Sequence, residues 1–322
     1  MIEVRNLTRL FGETVAVDHA SFEVVSGKVV GFLGPNGAGK TTTLRMLTCF
    51  LPPTSGEARV DGRDVTVDSL AVRRVIGYLP ETVPLYPEMR VREFLEYRAR
   101  LKGVPRSKRR SRIAGLLERC QIADVQRRIA GQLSRGYRQR VGIAEALIGD
   151  PKLVILDEPT VGLDPNQIRE TRKLIKELGT DHTVFLSTHI LPEVEMVCDS
   201  VIIIHEGRIA AQGAIEELRR KLVSGGGRLF LEMKGPADQI AHSLGAIAGG
   251  KTVRHHVAGG GGHFVVEITG AVDIREEVFD RAARNGWKIL EMHASGATLE
   301  DIFTSVTMGD VANTSAGQGE RS

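Results

Sequence analysis

Cysteine, long apolar runs and excess charge are all scarce in this sequence. Cys49, Cys120 and Cys198 stand far apart in 322 residues. They supply neither a disulfide framework nor a metal-ligand spacing, which fits a reducing compartment, and each reads as a small buried hydrophobe. No stretch approaches the roughly 18 apolar residues needed to cross a bilayer. The opening Met1-Ile2-Glu3-Val4-Arg5 carries an acid early and lacks an apolar core segment, unlike a secretory signal. The chain is therefore expected to remain in the cytoplasm. A net charge of +3 is too small an excess to indicate nucleic acid, and no nucleic-acid partner is expected.

What is present is a globular composition, 42% hydrophobic and 26% charged, at a length that predicts two domains. The most informative stretch is Gly34-Pro35-Asn36-Gly37-Ala38-Gly39-Lys40-Thr41. The apolar run Val29–Leu33 precedes it and reads as a buried strand. Thr42-Thr43-Leu44-Arg45-Met46-Leu47 follows and reads as a helix. Strand, Gly-rich loop and helix with G-x-x-x-x-G-K-T at the turn is the context of a P-loop. Glycines let successive N–H groups point into one concavity, and the helix N-terminus adds partial positive charge there. Lys40 can reach β- and γ-phosphates, and the Thr41 hydroxyl can ligate Mg²⁺.

Upstream, residues 2–5 and 20–25 read as strands from their alternation. Between them, Phe11 offers an aromatic face that could stack on a base. Residues 56–62 and 75–80 read as further strands, and the Pro-containing segment 81–89 as a loop. Helices are predicted at 91–101 and 107–119. The basic run Arg106, Lys108, Arg109, Arg110 and Arg112 reads as a solvated face, with contact to anionic lipid headgroups or an acidic partner surface as the alternative. Ser134 is a good N-cap for a helix bearing Val141, Ala144 and Leu147 at helical spacing. With Gly136 it also offers an anion site.

Leu153-Val154-Ile155-Leu156-Asp157-Glu158-Pro159 is a near-continuous apolar run ending in two acids, the composition of a fully buried parallel strand. Ligands of open α/β sheets collect at the C-terminal strand ends. Asp157 is thus placed to hold Mg²⁺, and Glu158 to act on a water as general base. After a tight turn at Val161–Pro165 and a helix at 166–178, Thr183–His189 reads as another buried strand. His189 at its end can donate to a γ-phosphate oxygen. A strand at 199–204 and a basic helix at 214–222 follow. Beyond a Gly-rich break at Ser224–Gly227, strands at 228–233, 251–257, 263–268 and 287–292 alternate with helices at 236–247, 272–285 and 298–306. That β-α-β-β-α-β order predicts a small ferredoxin-like α+β domain. The tail, rich in Gly, Ser and Asn, is expected to be disordered.

Together these segments resemble the ATP-binding subunit of an ABC transporter. Gly34 to Thr42 is similar to the Walker A motif, Val154 to Asp157 to Walker B, and Glu158 to the catalytic glutamate. Leu133 to Tyr137 falls at the signature motif. Val161 to Asp164 resembles the D-loop, His189 the switch histidine and Phe11 the adenine-stacking aromatic. The signature departs from Leu-Ser-Gly-Gly-Gln, reading Leu133-Ser134-Arg135-Gly136-Tyr137, and the Q-loop glutamine position holds Glu81. A carboxylate there can ligate Mg²⁺ but cannot donate an amide hydrogen bond. Both departures, and the ending Ala297–Phe303, resemble the ABC-2 export branch, which includes gliding-motility-type and multidrug exporters of bacteria.

The resemblance implies an α/β P-loop NTPase cassette, with a RecA-like core and a helical subdomain, over 1–223. The accessory α+β domain would span 228–307 and the tail 308–322. It implies ATP and Mg²⁺ as ligands, with Gly34, Pro35, Asn36, Gly37, Ala38, Gly39, Lys40, Thr41 and Thr42 around the nucleotide and Thr41, Asp157 and Glu81 at the metal. It further implies a homodimer sandwiching ATP, with Ser134 and Gly136 completing the other copy's site, and a separate membrane permease. A soluble ABC ATPase acting on ribosomes or DNA is the alternative. Such proteins usually carry paired cassettes or coiled-coil insertions, and neither is read here.

Overall fold

The computed structural model describes residues 1–218, 227–247, 250–258, 261–268, 274–295 and 303. Residues 219–226, 297–302 and the tail from 308 lie outside the described residues. With them go the end of the expected basic helix, most of the Gly-rich break and the family-like ending. The chain divides into two compact units, Met1–Gly213 and the residues from Ala214 onward.

The first unit opens with the hairpin β1 (Ile2–Phe11) and β2 (Thr14–Val24), turned at Gly12 with φ +59°. Both strands are longer than their alternation predicts. Their register shifts between Val4 and Leu7 and again up to Leu10, and Asn6 and His19 take positive φ. Each such irregularity breaks the period of two, so only the regular end of the ladder reads as strand in the sequence. Next come β3 (Val29–Leu33), α1 (Lys40–Leu47), β4 (Ser55–Val60) and the short β5 (Arg63–Asp64). A four-stranded sheet runs β2-β1-β4-β5.

Then follow α2 (Ser69–Val75), β6 (Ile76–Leu79), α3 (Val91–Leu101), α4 (Arg106–Arg119), α5 (Arg135–Leu147), β7 (Leu153–Asp157) and α6 (Pro165–Leu178). The unit closes with β8 (Thr183–Thr188), α7 (Leu191–Val197), β9 (Ser200–His205) and β10 (Arg208–Ala214). The six-stranded sheet runs β10-β9-β3-β8-β7-β6. Its pairs β3–β8, β3–β9, β7–β8 and β6–β7 are parallel. The helices α2 and α7 have no clear sequence signal, because seven residues are too few to establish a helical period. Ala214, expected to open a helix, closes β10, and residues 215–218 are helical.

Both faces of this sheet are covered. In β7, Leu153 and Ile155 join a core with Val30, Phe32, Leu44 and Leu47. Val154 and Leu156 join the opposite core with Phe94, Leu95, Ile113, Leu116 and Val141. A strand buried on both faces must be apolar throughout, which is why its sequence lacks alternation. Rings of Phe22, Phe32 and Phe185 form the centre of one core, with centroids 5.2–6.0 Å apart. On α4, Arg112 donates to Leu147 O and Asp150, and Arg109 to Val104 O. Arg106, Lys108 and Arg110 are exposed.

The second unit comprises β11 (Gly227–Lys234), α8 (Ala237–Gly245), β12 (Gly250–Ala258), β13 (Gly261–Ile268), α9 (Arg275–Asn285) and β14 (Lys288–Ser295). Its sheet runs β12-β13-β11-β14, with every neighbouring pair antiparallel. That order, with a helix in each crossover, is the split β-α-β arrangement. Leu229, Leu231, Ile240, Leu244, Phe264, Val266 and Val278 form its own core.

Phe185→Ala removes the ring shared by two aromatic contacts at a fully buried position. It is expected to lower unfolding stability by about 3–5 kcal/mol, measured by urea denaturation of the first unit's transition.

Candidate functional site

Because β3, β6, β7 and β8 are parallel, their C-terminal ends lie along one edge of the sheet. Those ends deliver the Gly-rich loop, Glu81, the Asp157-Glu158 pair and His189. A pocket of about 330 Å³ opens there, lined by Asn36, Gly37, Gly39, Lys40, Thr41, Thr42, Glu81, Glu158 and His189, together with Ala16 and Val161. A roomier hollow of about 570 Å³, at Asp18, His19, Ser21 and Arg208–Gln212, lacks this convergence. Its charged walls are already paired, Asp18 with Arg208 at 2.7 Å.

The loop's shape needs glycine where φ is positive, +82° at Gly37 and +101° at Gly39. A Cβ on Gly39 would run into Ala16 O. Gly39 caps α1 without any side-chain acceptor. The first N–H groups of that helix therefore have no intrahelical partner and remain available to an anion. Ala38 is buried in the core, which anchors the loop from below.

Lys40 is buried and donates to Gly34 O at 2.8 Å and Pro35 O at 3.1 Å, with Glu158 Oε1 at 3.3 Å. Glu158 is only 8% exposed. His189 Nδ1 lies 3.0 Å from each of its carboxylate oxygens, a distance at which an Nδ1–H donates. The Glu158 backbone adopts φ +49°, uncommon outside glycine, and its N–H donates to Ser187 O and Oγ. Asp157 is fully buried, and Ser187 Oγ donates to its Oδ1 at 2.6 Å. Burial pushes its carboxyl above the usual range. Hydrogen bonds from Ser187 and Thr41 pull it back, and the charges of Glu158 and Glu81 raise it further.

Asp157 Oδ2 is buried with no hydrogen-bond partner, and Thr41 Oγ1 lies 3.4 Å from Oδ1. An orphaned carboxylate oxygen beside a hydroxyl fits a hard divalent cation. Among the described residues no cluster of three or more His, Cys, Asp or Glu forms a metal cage. Mg²⁺ takes only one or two protein oxygens, as Asp157 and Thr41 would provide, and completes its shell from water and phosphate.

Seven expected site residues are not in the pocket lining: Gly34, Pro35, Ala38 and Asp157, which belong to the loop and strand end bordering it, and Phe11, Ser134 and Gly136. Phe11, 47% exposed, ends β1 with the Arg9 guanidinium over its ring at 4.7 Å. Ser134 caps α5 by accepting from Tyr137 N at 3.4 Å. Gly136 is closely covered by the Gln167 side chain of its own chain. Conversely, Ser187 reads in the sequence only as part of a buried strand, although it hydrogen-bonds both acids. Its one signal is a hydroxyl directly after the apolar run Val184–Leu186.

The ABC transporter family model matches residues 17–161. The bacitracin transport ATP-binding protein BcrA of Bacillus licheniformis is 39% identical over 69% of this chain and 72% of its own. Its Enterococcus faecalis namesake is 31% identical over 96% of this chain and 97% of its own. ABC transporter A family member 1 of Dictyostelium discoideum is 38% identical, and this chain spans only 26% of its length. Among solved structures, the dimeric post-hydrolysis state of the ATP-binding cassette MJ0796, bound to ADP and Pi, is similar at a TM-score of 0.61 and 27% identity. That match covers 66% of this chain and 98% of that one.

Lys40→Ala removes the lysine that lines this pocket. It is expected to abolish ATP binding, measured by titration with a fluorescent ATP analogue; full affinity in the variant contradicts the assignment.

Proposed function

From the premise that the chain belongs to the ABC transporter ATP-binding family, we propose that it hydrolyses ATP to energise export through a membrane permease supplied outside these 322 residues. The observation that carries this reading is the meeting of a P-loop lysine, a buried glutamate and a strand-end histidine in one crevice, with Asp157 beside Thr41. No described helix is long and apolar enough to cross a membrane. The proposed location is accordingly peripheral, at the cytoplasmic face of the membrane.

The roles follow from the chemistry of each group. Backbone N–H groups from Gly34 to Thr42 hold the phosphates, and Lys40 neutralises the β- and γ-oxygens. Thr41 and Asp157 would hold Mg²⁺, with Glu81 as a further oxygen, and the ion would offset charge on the phosphates. Glu158 takes the proton from the attacking water, and His189 orients Glu158 and donates toward the γ-phosphate. Lys40 is paired with Glu158. A triphosphate gives Lys40 a stronger anionic partner and leaves Glu158 free for the water.

Two copies would meet head to tail. Phe11 of one copy stacks on adenine, and Ser134 and Gly136 of the second copy grip the γ-phosphate. The γ-phosphate then becomes an interface ligand whose loss on hydrolysis removes a contact between copies. The segment from Glu81 to Glu93 would pass that motion to the permease. It carries the exposed Tyr86, whose ring packs with Phe94 and Tyr97 of α3. The bacitracin transport relatives support export of a small molecule as the kind of work done.

Glu158→Gln is expected to trap ATP and slow hydrolysis by about tenfold or more, read as phosphate release; unchanged turnover removes Glu158 from the mechanism. The full chain, pulled down in mild detergent from its native membranes, is expected to bring a polytopic membrane protein with it. Recovery of ribosomes or DNA-repair proteins instead overturns the transporter assignment.

A further inference from the structure

Glu193 lies in the first turn of α7 and is 1% exposed. A carboxylate so deeply buried must be fully hydrogen-bonded. Its Oε2 accepts from Thr160 Oγ1 at 2.7 Å and from Thr188 Oγ1 at 3.1 Å. Its Oε1 accepts from Arg172 Nη2 of α6 at 3.3 Å. An acid in a helix's first turn commonly serves only the free N–H groups of that turn. Here α7 has no side-chain cap bond, and these three bonds run to other segments.

Those segments are the ones that hold the reacting groups. Thr160 stands two residues after Glu158, and Thr188 stands immediately before His189. Thr160 and Thr188 are themselves buried, and Thr188 Oγ1 also accepts from Ile190 N at 3.0 Å, bracing the backbone on the far side of His189. Arg172 belongs to the helix that begins right after the Val161–Asp164 turn. We infer that Glu193 is a positioning residue for ATP hydrolysis, locking the loop that leaves Glu158 to the strand end that carries His189. It is absent from the pocket lining. Without it, the spacing of Glu158 and His189 would rest on the β7–β8 ladder, the Ser187 contacts and their own mutual contact, while Glu158 keeps an uncommon backbone conformation.

This inference rests on the hydrolytic assignment above, and the experiment separates the two. Full-length wild type, Glu193→Ala, Glu193→Gln and the double variant Thr160→Val/Thr188→Val are compared by steady-state ATPase kcat and KM, nucleotide titration and thermal unfolding. Glu193→Ala is expected to lower kcat on the order of 10²-fold, since a small misplacement of reacting groups is that costly. ATP affinity should stay at the wild-type value, because the P-loop is untouched. Glu193→Gln keeps an oxygen acceptor for both threonines and should recover most of the loss. The threonine pair, with Glu193 intact, should behave like Glu193→Ala.

An unchanged kcat in folded Glu193→Ala, beside an active wild type, overturns the inference. So does a fall in kcat matched by an equal loss of ATP affinity, or no recovery in Glu193→Gln, since either marks a merely structural role. Should Glu193→Ala fail to fold, the threonine pair decides by the same split. An inactive wild type, or a Glu158→Gln variant as active as wild type, shows instead that the hydrolytic assignment itself has failed, and the inference falls with it.

Discussion

Lys40 and Glu158 are both buried, and each is a counter-ion of the other at 3.3 Å. Charges removed from water at this depth persist only when paired and hydrogen-bonded. The Gly-rich loop supplies the remaining acceptors for Lys40, and His189 meets the remaining oxygen of Glu158. Around that pair the sheet is arranged so that the start of α1 and the end of β7 meet. Thr41 and Asp157 approach each other across 116 residues of chain.

The parallel ladder makes this meeting possible. Asp157 is in register with Ser187, and Leu33 with Thr188, so the three strand ends terminate at nearly the same level. Cores on both faces of the sheet fix that level. Ser187, fully buried between them, turns the register into chemistry. Its hydroxyl donates to Asp157 and accepts from the Glu158 N–H. Glu193 makes a similar join one layer further out, between Thr160 and Thr188. The acids and histidine of the pocket are thus held by hydroxyls that sequence inspection passes over.

The second unit has a core of its own and a complete antiparallel sheet. The alignment with the Enterococcus relative runs through it, covering 96% of this chain.

Local sequence was enough for the P-loop, the buried strand ending in Asp157-Glu158, the histidine ending the next strand, and α3 to the residue. Each of these rests on local chemistry: glycines where positive φ is needed, apolar runs where both faces are buried, and helical spacing over three turns. Only the tertiary structure decided the full length of β1 and β2, whose bulges erase their period, and the existence of α2 and α7, too short to show one. It alone placed Ser187 and Glu193 beside the reacting groups. A serine inside a strand, or a glutamate in a two-turn helix, acquires a partner only when parallel register brings a distant chain end against it. No local pattern encodes that distance.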